Sequence, residues 1–280
     1  MATRKKPDYR RSCTKPRERE TAKARETTLW VNLAICRVFR RLYGAGIFET
    51  SEDMDAKLVV RYVVRETMGI VVMGVALFWS AGRIDWWPAW ASISVMLAWI
   101  TATAIVIFGY NPNLLAERLG PRKGAKPWDI AIMSILGFTQ LARYIVAGLD
   151  RRYEWTGALS LTAQIAALTV CVLSYALVVW ATASNIFFSQ IVRVQSERGH
   201  TVVTGGPYHY VRHPAYAGAI LFELAVPVLL ASWWAFVPSG LNVFLLILRT
   251  DLEDRTLRAE LTGYVDYARR VRHRLLPGIW

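Results

Sequence analysis

The sequence predicts an all-α, polytopic membrane protein of about five to six transmembrane helices, closed by a C-terminal helical hairpin and a polar C-terminal segment. Three observations carry this. First, 54% of the 280 residues are hydrophobic and mean hydropathy is +0.26, against ~45–50% apolar residues in an ordinary soluble domain. Second, apolar stretches with few charges alternate with short basic connectors. Third, the chain has twelve tryptophans, and one apolar stretch opens with an aromatic belt, WWPAW at residues 86–90.

Taken in order, residues 1–28 are polar and mix both charges (RKKPDYRRSCTKPRERETAKARE), which predicts a disordered tail and no signal or transit peptide. Residues 29–43 predict an amphipathic surface helix. The first span is expected over Glu66–Gly82, with Arg61 and Arg65 reaching to the interface. The second is expected over Trp86–Phe108 and the third over Asp129–Leu149, with Arg143 near its far end. The fourth, Gly157–Ala183, is the longest and is expected to run on as an amphipathic helix toward Ser196. The fifth covers Ala215–Val237. The sixth, Leu241–Thr250, falls short of the ~20 residues a lone span needs and reads as the return arm of a hairpin turned at VPSG. These bounds suggest a tail and surface helix over 1–58, four spans with connectors over 59–197, and a ligand-binding unit over 198–280.

Charge then orients the chain. Arg118, Arg122, Lys123 and Lys126 share one connector; Arg193, Arg198 and Arg212 share another; Arg269, Arg270, Arg272 and Arg274 lie at the C-terminus. All of them fall on one side if both termini are cytoplasmic. The net charge of +13 therefore reads as a topology signal and attraction to the lipid bilayer, not as nucleic-acid binding. Cys13, Cys36 and Cys171 have no metal or disulfide spacing, and neither a P-loop nor a Rossmann fingerprint occurs. His209 and His213 are four apart, but Pro214 disfavours a helix at His213 and no third ligand stands near.

Two clusters are rich in reactive groups. Residues 204–218, TGGPYHYVRHPAYAG, concentrate Tyr208, His209, Tyr210, Arg212, His213 and Tyr216 at the mouth of an apolar run. Gly205 and Gly206 would let the backbone approach a ligand closely, and Pro214 suits the first turn of a helix. Free N–H groups there, with Arg212 and His213, suit an anion, while the tyrosines offer faces to a purine or a sulfonium. Composition alone leaves an interfacial anchor equally open. In the second cluster, from Leu248 onward, Arg249 and Glu253 are i,i+4 neighbours on one helix face. A surface ion pair there would contribute ~0.3–0.5 kcal/mol, whereas charges so near the bilayer also point to function.

GPYHYVRHPAYAG followed by LRTDLEDRTL and GYVDYARRVRHRLLPGIW resembles the isoprenylcysteine carboxyl methyltransferase family, related to the integral-membrane phospholipid methyltransferases. NPNLLAERLGPRKGAKPWD, residues 111–129, is similar to the connector of its bacterial-type members, which implies a bacterial inner membrane. The resemblance implies S-adenosylmethionine as cofactor, held at the cytosolic boundary by the C-terminal unit, and an amphiphilic or prenylated methyl acceptor. By position it implies that His200, Gly206, Tyr208, Arg212, His213 and Tyr216 bind the cofactor together with Glu253 and Asp254. Asp254 stands where the family carries a second glutamate. Arg249 corresponds to the residue that holds the acceptor, so Arg249 and Glu253 are the expected catalytic pair. A membrane sterol-type reductase using NADPH is the alternative enzyme, but that group carries Asn after HP and an Arg-Asp pair, where this chain has Ala215 and Glu253–Asp254. A transporter or scaffold would more often show repeats or polar groups at mid-membrane.

Overall fold

The computed structural model describes residues 56–110, 113–119 and 124–280; the predicted tail and surface helix lie outside them. The described residues form α1 (Ala56–Ala81), α2 (Trp87–Tyr110), α3 (Asn113–Leu119), α4 (Pro127–Tyr153), α5 (Leu161–Ser184), α6 (Pro214–Leu229), α7 (Phe236–Glu260) and α8 (Tyr264–Arg270), with 3₁₀ turns at Ser196–Arg198 and Gly206–His209. No strand occurs among them. The chain is a multi-pass integral membrane protein: α1, α2, α4 and α5 are each long and apolar enough to cross a bilayer.

Helix α1 starts ten residues before the predicted span because Tyr62 and Val59 are buried core residues that extend its apolar face. Arg61 and Arg65 do not simply snorkel to the interface. Arg61 donates to the Leu119 carbonyl (3.1 Å), and Arg65 donates to the Arg118 carbonyl (3.1 Å) and to Gln190 Oε1 (3.3 Å). Helix α5 ends at Ser184 and does not continue to Ser196. Asn185 caps it, and residues 185–195 cross the end of the bundle as an irregular loop. The loop's backbone is satisfied from outside: Asp129 accepts the Val192 N–H (2.8 Å), and the buried Gln195 side chain donates to the Phe187 carbonyl (2.7 Å).

The hairpin turn also differs from expectation. VPSG lies inside the first turns of α7, where Pro238 lacks only an N–H that has no partner in a first turn anyway. The reversal occurs at Leu230–Ala235 instead. Ala231 adopts φ 55°, the Ser232 N–H reaches the Pro227 carbonyl (2.9 Å), and the Ala231 N–H reaches the Val228 carbonyl (3.1 Å). That pair of bonds is the Schellman stop. At the same end Asp150 accepts from the Thr156 N–H (2.7 Å) and from Ser232, joining the α4–α5 loop to the hairpin.

Helices α5 and α6 approach closely because Gly218 has no side chain: a Cβ there would stand 2.6 Å from the Ser174 carbonyl oxygen. The shared core gathers Leu77, Ala147, Cys171, Phe222, Val226 and Leu229. Within this core lies a polar network. Arg143 of α4, fully buried, pairs with Glu223 of α6; Asn242 of α7 donates to the same carboxylate (3.0 Å) and accepts from Thr139. Aromatic faces of Tyr144 (4.7 Å) and Phe222 (5.5 Å) flank the guanidinium. Charges in the bilayer are tolerable only when paired in this way, and the pair fixes α6 and α7 against α4.

Candidate functional site

The end of the bundle opposite the Asp150 cluster is closed by residues 185–213, the last turns of α7, α8 and the C-terminal segment. Pro214 occupies the first turn of α6, as the sequence predicts, and the non-helical residues just before it face the C-terminal segment. The Arg212 N–H donates to the His273 carbonyl (3.0 Å) and the His213 N–H to the Arg274 carbonyl (2.9 Å). Tyr267 donates to the Tyr208 carbonyl (2.7 Å). The second reactive cluster thus lies directly against the first.

Two buried arginine–aspartate pairs organise this end. Arg212 and Asp254 form the first: Nε donates to Oδ1 (2.8 Å) and Nη2 to Oδ2 (3.2 Å), while Nη1 donates to the carbonyls of Val271 and Arg272 (2.8 Å each). Asp254, with no exposed surface, also accepts from Tyr264 (2.9 Å), Arg258 (2.9 Å) and Arg274 (3.1 Å). Burial alone would raise its carboxyl, but hydrogen bonds from His213, Arg212 and Arg258 outweigh it and hold the group well below the usual carboxylate range. Asp254 conversely raises the Tyr264 hydroxyl, although burial is the larger cause.

The second pair is Arg249 with Asp129, across 120 residues of sequence: Nε donates to Oδ1 (2.7 Å) and Nη2 to the Gln190 carbonyl (2.7 Å). Arg249 is therefore not the partner of its i,i+4 neighbour. Glu253 instead accepts from the Tyr216 hydroxyl (2.5 Å), and the Arg249 guanidinium lies over the Tyr216 ring (5.3 Å). Asp129 carried a usable signal in the sequence, a carboxylate opening an apolar span in KPWD, but nothing local tells which cation it meets.

A cavity of about 430 Å³ opens between these elements. Its polar end is lined by His200, Tyr208, His213, Tyr216, Arg249 and Glu253, and its largely apolar arm by Trp99, Met133, Leu136, Tyr175, Phe222 and Leu246, with Gln140, Glu223 and Asn242 among them. Of the residues the sequence singled out, Arg212 also touches the wall, but four of its five N–H donors are committed inward. Asp254 and Gly206 lie off the wall. Asp254 is turned into the arginine hub. Gly206 has φ 57°, and a Cβ there would meet Ser184 Oγ at 2.2 Å, so it packs the loop onto the end of α5. Sequence reasoning missed Tyr264 and Tyr267, which arrive from α8, and Trp99, Met133 and Tyr175. The cavity therefore draws on both sides of the boundary expected at residue 197.

His200 sits against Phe187 (ring centroids 4.5 Å), and its Nδ1 accepts the Gln195 N–H (3.2 Å). Burial, with Arg198 and Arg193 nearby, lowers its pKa, so the ring is neutral at pH 7 with its proton on Nε2. The polar end as a whole combines aromatic faces, a carboxylate, a neutral imidazole and, paired with Asp129, the Arg249 guanidinium. The aromatic faces and the carboxylate suit a cationic or purine-bearing ligand.

Comparison with known proteins places this end. Residues 165–259, from α5 through α7, match the model of the isoprenylcysteine carboxyl methyltransferase (ICMT) family. Two rice proteins, from Oryza sativa subsp. indica and subsp. japonica, are each described as a probable protein-S-isoprenylcysteine O-methyltransferase. Each is 27% identical over 194 residues, covering 65% of this chain and 96% of the relative. Protein-S-isoprenylcysteine O-methyltransferase B of Arabidopsis thaliana is 29% identical over 87 residues, 30% of this chain and 44% of that protein. The solved structure of the eukaryotic intramembrane Ras methyltransferase ICMT aligns over 91% of this chain and 94% of its own, with a TM-score of 0.42 and 16% identity. The rice and Arabidopsis relatives are plant proteins, and they do not bear out the bacterial type suggested by residues 111–129.

Proposed function

We propose that this chain, whose residues 165–259 match the model of the isoprenylcysteine carboxyl methyltransferase family, transfers a methyl group from S-adenosylmethionine to a prenylated or other lipidic acceptor. The observation that carries the reading is a cavity of the described residues whose polar end adjoins an apolar arm between helices. A volume of about 430 Å³ lies within the range of ligand sites, ~300–1,000 Å³.

Bound S-adenosylmethionine would supply a sulfonium methyl that is already electrophilic. What the chain's residues contribute is position. Tyr208, Tyr216, Tyr264 and Tyr267 offer aromatic faces to the purine and sulfonium, and Glu253, oriented by the Tyr216 hydroxyl, places a carboxylate beside the positive charge. His200, neutral, can donate from Nε2 without repelling that charge. Arg249, fixed by Asp129 and the Gln190 carbonyl, stands at the junction with the apolar arm and orients the acceptor. A carboxylate acceptor becomes a neutral ester with no proton to remove; an amine acceptor would hand its proton to Glu253. Arg212, held by Asp254, ties the C-terminal segment to this end of the bundle through the Val271 and Arg272 carbonyls.

On the same reading the site end faces the cytoplasm with both termini, because the basic connectors gather there. The test is methyl transfer from labelled S-adenosylmethionine to N-acetyl-S-farnesylcysteine and to phosphatidylethanolamine, alongside a membrane extract whose labelled product is identified. Label in a lipid or prenyl product is expected. No transfer to any acceptor, together with tight NADPH binding, would overturn the reading in favour of a reductase.

A further inference from the structure

The wall between the main cavity and a second one of about 90 Å³ holds a buried cation with no counter-charge in contact among the described residues. Arg118, at the end of α3, lines both cavities and is 9% exposed. Among the described residues its guanidinium makes no hydrogen bond or ion pair; it lies over the Phe188 ring (5.6 Å), and its Nε is buried without an acceptor.

The nearby acids among the described residues are engaged elsewhere. Glu66 is taken by Arg65 (2.5 Å). Glu117 accepts from Arg193 (2.9 and 2.6 Å) and from Ser189 (3.0 Å). Asp129 is taken by Arg249, whose own charge is thereby matched. Burial lowers the Arg118 guanidinium to about 10, with Arg65 adding in the same direction and Tyr62 and Glu66 opposing. A guanidinium held in this way lacks the partner that a desolvated charge requires. Its planar fork of donors is shaped for an oxyanion.

We propose that Arg118 is the anion subsite of the acceptor chamber, receiving the single oxyanion headgroup, carboxylate or phosphate, of an amphiphile whose chain lies in the apolar arm. This rests on the acceptor reading of that cavity. It also separates two duties: Arg249, neutralised by Asp129, orients, while Arg118 supplies the net positive charge.

The full chain in zwitterionic nanodiscs is titrated by intrinsic fluorescence with N-acetyl-S-farnesylcysteine, its methyl ester and farnesyl monophosphate. None of these measurements requires methyl transfer. An anionic probe is expected to bind ~10-fold or more tightly than the ester, the gap closing in Arg118→Gln and remaining in part in Arg118→Lys. Affinity for S-adenosylmethionine, expected to be unchanged in both variants, verifies that the fold is intact. Which anionic probe shows the larger gap identifies the headgroup. Equal binding of acid and ester by the parent protein, or a gap undiminished in Arg118→Gln, overturns the proposal. If methyl transfer fails with every acceptor while the gap still follows Arg118, the methyltransferase reading falls and the anion subsite stands.

Discussion

Helix α7 supplies one member of each buried arginine–aspartate pair, Arg249 and then Asp254, and the two pairs serve different ends. The Arg212–Asp254 pair is saturated: the carboxylate accepts from three arginines and a tyrosine, and the arginine from the 204–218 stretch reaches two carbonyls of the C-terminal segment. It is a clasp. The Arg249–Asp129 pair also binds a loop carbonyl, yet the guanidinium remains on the cavity wall over Tyr216. Identical chemistry becomes structural or functional according to what else each charge touches.

The largest expected effect tests the clasp. Asp254→Asn leaves Arg212, Arg258 and Arg274 facing an uncharged amide in a dry site, and should destabilise the protein by ~3–5 kcal/mol in thermal denaturation. The sign with pH follows from the depressed carboxyl. Its contribution is complete above the ordinary aspartate value, ~4, and is lost as pH falls from there toward the folded value. The parent protein should therefore lose stability below about pH 4 through this group, and Asp254→Asn should lack that component of the slope.

The second test addresses the other pair. Arg249→Ala should lower methyl transfer by ~10²-fold while S-adenosylmethionine still binds, because acceptor orientation is what it removes. Glu253→Ala and His213→Ala should instead abolish donor binding in calorimetry, with the protein still inserted. Normal donor affinity in both would remove the polar end of the cavity from the site.

A smaller effect probes the scaffold common to both pairs. Gly218→Ala pushes a methyl group against the Ser174 carbonyl, which cannot yield without bending α5, and should destabilise by ~1–3 kcal/mol. The smallest is favourable: Ala231→Gly relieves the left-handed backbone at the hairpin turn. It should stabilise by ~0.5–1 kcal/mol, leaving methyl transfer unchanged.

Much of the architecture was legible because bilayer crossing imposes length and apolarity on a local stretch. Trp87–Tyr110 and Pro127–Tyr153 start within two residues of their expected positions, and Pro214 begins α6 as its fixed φ predicts. The misplaced features depended on partners distant in sequence. Residues 185–195 look amphipathic and helical, but Asp129, Arg249 and Gln195 take up their backbone groups and hold them as a loop. VPSG reads as a turn, but a proline early in a helix is also tolerated, and the fold used it that way.

By itself, the sequence determined that this is a helical membrane protein with reactive groups gathered at one end, since hydropathy, charge distribution and the RHPAY stretch are properties of local composition. Only the tertiary structure decided which charge faces the cavity. Which opposite charge Arg118, Arg212 or Arg249 meets cannot be read along the chain. In space one has no counter-charge among the described residues, one is clasped and one is paired but presented, because burial makes each charge depend on the nearest opposite charge, and that neighbour is set by packing.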